Sequence, residues 1–265
     1  MKIRAALSLG LFLLAAIIVI GGRLEAGAAQ TAGRGTIKGH TRLTGKLPGN
    51  PIIRMGMDPM CAKINAGKRV VQESVVASAD GSLSNVFVTL DGAFPQTPVP
   101  TQPVVIDQRG CIYLPRMVGA RVGQMLEVKN SDPLLHNVHS LTSRGNSFNV
   151  GQPQAGIVYR YRLKDEELML RIKCDVHSWM TAYVGIVSHS YFAVSGDAGA
   201  FEIANVPPGT HTVRTWHERY GVLTQTVRVR AGVTTTVEFA YTDTEKPPTA
   251  GLRDLAVPAT ALAAH

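Results

Sequence analysis

A cysteine, a histidine and a methionine stand three residues apart in Lys173-Cys174-Asp175-Val176-His177-Ser178-Trp179-Met180, a C-x2-H-x2-M spacing. A thiolate, an imidazole and a thioether are ligands for soft or borderline metal ions, and three of them within seven residues is an uncommon concentration. Residues 167–173 alternate just before the cysteine, with Leu168, Leu170 and Ile172 opposite Met169, Arg171 and Lys173. That period predicts a half-buried strand, and residues 183–187 read as another. The candidate ligands then lie on a tight loop between two strands, where all three side chains can be aimed at one point. A further histidine stands upstream, in Asn130-Ser131-Asp132-Pro133-Leu134-Leu135-His136-Asn137-Val138-His139. Residues 124–129 before it are strand-like, Asp132-Pro133 breaks that strand, and His136 begins the next extended piece. Two imidazoles, a thiolate and a weak thioether form the donor set of a copper site that exchanges single electrons. Thiolate and thioether favour Cu(I), imidazole suits Cu(II) as well, and a compromise geometry keeps reorganisation small when one electron moves.

Each of these residues has an ordinary reading when taken alone. Cys174 would be a buried thiol at a strand end, His177 a surface imidazole and Met180 a core filler; their joint spacing sets them apart. His139 has no ligand partner, because the position two residues earlier holds Asn137. It reads as a structural group, near the site or on the surface. His40, His189, His211, His217 and His265 show no paired spacing. Zinc accepts two imidazoles and a thiolate, but a methionine in fourth place favours copper. Met55, Met57 and Met60 form M-x-M-x2-M before Cys61; thioethers can hold Cu(I), yet loop packing is the preferred reading. Paired carboxylates, a glycine-rich phosphate loop and a G-x-S-x-G elbow are missing, so a copper-binding or electron-transfer protein is expected rather than a catalyst.

The His-Asn-Val-His run followed by C-x2-H-x2-M resembles the cupredoxins, and most closely the short-loop amicyanin branch beside plastocyanin and pseudoazurin. The matching stretch, residues 124–187, is close to a quarter of the chain. The resemblance implies one type 1 copper held by His136, Cys174 and His177, with Met180 axial. It also implies that Asn137 stiffens the cysteine loop and that His177 sits near the surface as the electron exit towards redox partner proteins. Multicopper oxidases resemble cupredoxins but need several H-x-H pairs and an H-C-H, which this sequence lacks. The strands before residue 120 do not read like a minimal cupredoxin, and a further β segment follows.

The elements that must position these ligands are short. Extended runs at residues 36–43, 69–77, 85–90, 104–107 and 156–163 are separated by Gly, Pro, Asn and Asp, with no long 3.6-residue period. The expected fold is all-β: a cupredoxin-like Greek-key sandwich over residues 35–187, packed with a second small β-sandwich unit over 188–242. The second unit resembles carboxypeptidase regulatory-like domains through Phe201-Glu202-Ile203 and the turn Val206-Pro207-Pro208-Gly209-Thr210. Residues 35–48 look like the opening strand of such a domain, and that strand can join the C-terminal unit. Residues 243–265 read as a loose tail.

Residues 1–28 have a positive start, an uncharged run from Ala5 to Ile20 and small residues at Ala26 and Ala28, the layout of a secretory signal or an N-terminal anchor. A periplasmic or secreted location follows, with membrane contact only through an uncleaved anchor. Oxidising surroundings suit a Cys61–Cys111 disulfide closing a loop of about 50 residues, which leaves Cys174 over from an odd count of three. The net charge of +8 is spread thinly and excludes a nucleic-acid groove. Two other functions suit the same sequence: a copper carrier or store, and a cell-envelope binding or scaffold protein.

Overall fold

The structure is a computed structural model that describes residues 33–142 and 144–242. The expected signal or anchor at 1–28 and the expected tail at 243–265 lie outside the described residues. Among the described residues, sixteen strands run in chain order as β1 (Gly35–Thr44), β2 (Phe87–Leu90), β3 (Val104–Gln108), β4 (Tyr113–Leu114), β5 (Met117–Arg121), β6 (Met125–Asn130), β7 (His136–Leu141) and β8 (Asn149–Gln152). They continue as β9 (Val158–Arg162), β10 (Glu167–Lys173), β11 (Thr181–Val187), β12 (Phe192–Val194), β13 (Ala200–Val206), β14 (Gly209–His217), β15 (Gly221–Val229) and β16 (Thr234–Thr242). A six-residue α-helix, α1 (Pro59–Ile64), and the 3-10 turn Met55–Met57 before it interrupt the all-β pattern of the described residues. No helix among the described residues is long and apolar enough to cross a membrane.

The strands form four sheets, ordered β4-β3-β6-β9, β5-β11-β10-β7-β8, β12-β2-β14-β15 and β13-β1-β16. The first two close on a core of Ile106, Leu126, Val128, Val138, Leu170, Ile172 and Val184. The last two close on Ile37, Leu90, Phe201, Ile203, Val213, Phe239 and Tyr241. A third apolar layer of Phe87, Met117, Tyr183, Val187 and Trp216 joins the two sandwiches back to back. This stacking accounts for β11, which is buried at all seven positions because both of its faces are covered.

The joining layer depends on two glycines. Gly185 and Gly119 are register partners on β11 and β5. A Cβ at Gly185 would come 2.6 Å from the Phe87 ring, and one at Gly119 would come 2.5 Å from the Phe192 ring. Bare backbone therefore lets the aromatic rings lie flat on the sheet.

Two stretches depart from the sequence expectation. The opening strand β1 pairs antiparallel with β13 and parallel with β16, and β2 pairs with β12 and β14. The sheets therefore do not follow a split at residue 187: β1 and β2 complete the C-terminal sandwich, which is too short to bury its core without them. Residues 69–77 form only isolated bridges, through Val71 and Ala77. Val75 is the single buried side chain there, so the run has no apolar face to anchor a ladder.

Candidate metal centre

β7 and β10 are antiparallel neighbours, with Lys173 opposite His139. The first residue of β7, His136, is thereby brought to the sheet end where β10 stops and Cys174 begins. The loop from Cys174 to Met180 is cross-braced, with Cys174 N–H donating to the Met180 carbonyl at 3.3 Å and Met180 N–H to the His177 carbonyl at 2.9 Å. This turn folds His177 back over Cys174. The His136 and His177 Nδ1 atoms lie 3.1 Å apart, and the Cys174 Sγ lies 3.8 Å from the His177 Nδ1. All three side chains are buried. Met180 is fully buried in the same core cluster as Cys174.

Each imidazole is held from behind by a carboxylate. His136 Nε2 lies 2.9 Å from Asp132 Oδ2, and His177 Nε2 lies 3.0 Å from Asp58 Oδ2. A ring that donates its Nε2 proton to a carboxylate keeps a bare lone pair on Nδ1. Two such lone pairs face each other beside a sulfur, and only a proton or a metal cation between them satisfies that arrangement. Both aspartates are over-determined. Asp132 also accepts from Gly110 N–H at 2.7 Å and Cys111 N–H at 2.8 Å. Asp58 is the N-cap of α1, its Oδ1 accepting from Met60 and Cys61 N–H.

The electrostatics agree with a cation site. Burial pushes the His136 pKa down, but the Asp132 hydrogen bond and the neighbouring Cys174 outweigh it and leave it above the ordinary imidazole value. Burial pushes the Cys174 thiol up, yet His136 and the backbone N–H groups of His177, Asn137 and Val176 bring it below its ordinary value. Burial raises Asp132, but His136 and two N–H groups hold it below the usual carboxylate range. The His177 hydrogen bond and the Cys61 N–H hold Asp58 low.

Asn137 bridges the two segments that carry the candidate ligands. Its N–H reaches the Cys174 Sγ at 3.3 Å, and its Oδ1 accepts from Asp175 N–H at 3.0 Å. His139 lies outside the ligand group, with its Nδ1 3.0 Å from Asp175 Oδ2. Cys61 and Cys111 form the expected disulfide, and Cys174 is the free cysteine. Met55 is buried against that disulfide, whereas Met57 is 92% exposed and Met60 points outward, so the three thioethers do not converge.

One expectation is overturned. His177 is 1% exposed rather than near the surface. The loop carrying α1 folds over it, placing Cys61 Sγ 3.5 Å from its Nε2. Trp179 closes the other flank, with its ring 5.1 Å from that of His177 and its Nε1 donating to the Cys111 carbonyl. Sequence reading missed both aspartates. Asp58-Pro59 is a helix N-cap followed by a proline at the first helical position, a local signal for α1. Asp132 stands four residues before His136, a spacing read only as a strand break.

The family model described as polysaccharide lyase family 4, domain II, matches residues 167–237, from β10 into β16. No curated protein sequence matches the chain. Among solved structures, the chain is similar to a copper-containing nitrite reductase from Thermus scotoductus at 17% identity and a TM-score of 0.28, covering 36% of this chain and 24% of that one. The chain thus spans about a quarter of the reductase's length. It is similar to a Cu(I) mutant of amicyanin at 17% identity and a TM-score of 0.29, covering 37% of this chain and 97% of that one. It is similar to a purple cupredoxin from Nitrosopumilus maritimus at 23% identity and a TM-score of 0.25, covering 28% of this chain and 81% of that one.

Proposed function

We propose that this chain is a mononuclear copper protein that relays single electrons, in which His136, Cys174, His177 and Met180 would hold the ion. The observation that carries this reading is the meeting of two imidazole Nδ1 atoms and one sulfur, drawn from segments about 40 residues apart, inside an apolar core. Soft sulfur and borderline nitrogen together suit copper in both oxidation states. Copper bound there would supply a one-electron couple.

The chain's own residues do the rest. Asp132 and Asp58 fix the rings with Nδ1 inward, and the Asn137 N–H steadies the sulfur. The core around Leu170, Ile172 and Val138 keeps water out. A pocket this rigid lowers the reorganisation that a change of charge demands. The half-buried Trp179 ring provides an edge for electron exit beside the covered His177. Leu135 and Val176, 46% and 49% exposed, each precede a ligand histidine and form an apolar approach for a redox partner protein. The burial of the ligands favours retention of the ion over ready exchange, and hence electron relay over a carrier. The signal-like segment 1–28 and the disulfide favour export to an oxidising compartment.

An absorption spectrum tests this. Copper-loaded protein should show an intense visible thiolate-to-copper band that is absent from Cys174→Ser. A colourless one-to-one Cu(II) complex of the wild type would overturn the assignment.

A further inference from the structure

The Cys61–Cys111 bridge is surrounded like a metal site rather than like a loop staple. Each half-cystine shares a carboxylate with one of the two ligand histidines. Asp58 accepts from Cys61 N–H through Oδ1 and faces His177 Nε2 through Oδ2. Asp132 Oδ2 accepts from Cys111 N–H and faces His136 Nε2. Asp58, Cys61 and His177 present ligand atoms all within 4.8 Å of one another, and so do Cys111, Asp132 and His136. Both half-cystines are fully buried. Each half-cystine sulfur thus has a carboxylate oxygen within 4.8 Å of it, a proximity that a loop staple alone does not require.

We infer that reduction of the Cys61–Cys111 disulfide creates a second thiolate metal site, held by Cys61, Cys111, Asp58 and Asp132 on the Nε2 side of the two imidazoles. A dithiol reductant supplies two electrons and two protons, the S–S bond breaks, two thiols form and the reductant becomes a disulfide. An incoming d10 ion, Zn2+ or Cu+, displaces the thiol protons. Two thiolates and the two carboxylates give a divalent ion a four-coordinate shell of the kind zinc adopts, and the imidazole Nε2 groups of His136 and His177 face the carboxylates from behind. The oxidised cap hides this site; the reduced cap opens it, one imidazole away from the inner ligands. Thiolate count in the cap thus sets whether the chain holds one ion or two.

The test uses the full chain carrying Cys174→Ser, which removes the inner sulfur and separates this inference from the copper reading. The oxidised and phosphine-reduced forms are titrated with Zn2+ against a chromophoric zinc indicator, and with Co2+ as a probe for thiolate bonds. The expected result is one zinc per chain in the reduced form only, with a thiolate-to-cobalt charge-transfer band. Adding Asp58→Asn should weaken reduced-state zinc binding about 10–100-fold, as loss of a metal-site carboxylate does. Equal zinc binding by both forms, or a cobalt complex with no charge-transfer band, would overturn the inference. So would a reduced chain that loses its native circular dichroism and does not regain it with zinc, because the bridge would then be a staple alone.

Discussion

Replacing Asp132 by alanine should cost more than any surface change in this protein. The carboxylate is buried and accepts from three donors: Gly110 N–H at 2.7 Å, Cys111 N–H at 2.8 Å and His136 Nε2 at 2.9 Å. Asp132→Ala leaves all three without an acceptor. Each orphaned buried donor costs about 1–3 kcal/mol, so the sum before relaxation is ~3–9 kcal/mol, and a water admitted beside Gly110 brings the expected loss to about 3–5 kcal/mol. Against a typical total of ~5–15 kcal/mol that is a large share. The assay is urea unfolding of copper-free, disulfide-intact protein at pH 7. With a slope near 2 kcal/mol/M the midpoint should fall by ~2 M. The difference should also depend on pH. Asp132 is held below its ordinary pKa, so its contribution is complete above the unfolded value near 3.9 and is lost as pH falls through the folded value. The gap between wild type and variant should therefore begin to narrow only below about pH 4 and shrink further as the pH falls through the lower folded value. A midpoint shift under ~0.5 M at pH 7 would refute the claim that this carboxylate satisfies three buried donors.

Three further outcomes follow from other parts of the structure. Glu218→Ala removes the partner of Arg116, a pair with side chains only 11% exposed, and should cost about 3–5 kcal/mol, most of it recovered in the double variant with Arg116→Met; additive losses in a double-mutant cycle would contradict this. His217 has its pKa lowered to about 3 by burial, then by Arg116 and Arg219. The unfolded chain takes up a proton that the folded one refuses, so stability should fall by ~3 kcal/mol between pH 7 and pH 4. His217→Phe should flatten that slope, and an unchanged slope in thermal or urea unfolding would count against it. Gly185→Ala forces a Cβ to 2.6 Å from the Phe87 ring and should destabilise by about 1–3 kcal/mol, relieved in part by Phe87→Leu in the same chain; a neutral Gly185→Ala would show that the joining layer can shift.

The parts of the site written locally were legible in the sequence. Cys174, His177 and Met180 share one loop, and the strands around them alternate with a clean period of two, so both loop and flanks could be read. His136 was legible because a strand break precedes it. The cap was not, because its contacts run between distant parts of the chain. Asp58 meets His177 across a sequence separation of 119, a pairing that no local pattern encodes. The burial of His177 was missed for the same reason: the segment that covers it lies among residues 53–70, which have no strand period. Met57 ends a 3-10 turn over Met55–Met57 and Met60 lies on α1, elements of three and six residues that are too short to show a 3.6-residue pattern. The opening strand carried a turn-and-strand signature like that of the C-terminal unit, so its pairing with that unit was legible as an option, although its parallel partner β16 was not.

That pairing has a consequence for how the polypeptide comes to be. β1 is the central strand of its sheet, yet its partners are residues 200–206 and 234–242. At ~5–20 residues per second on a ribosome, it waits about 10–40 s before β16 emerges, with both edges open until β13 is made and one open after that. Nascent chains lying side by side could zip together through such edges. Lys38 and Arg42, spaced along one side of β1, place cations where a neighbouring copy would bring the same cations, a repulsion that protects the strand until its own late partners arrive.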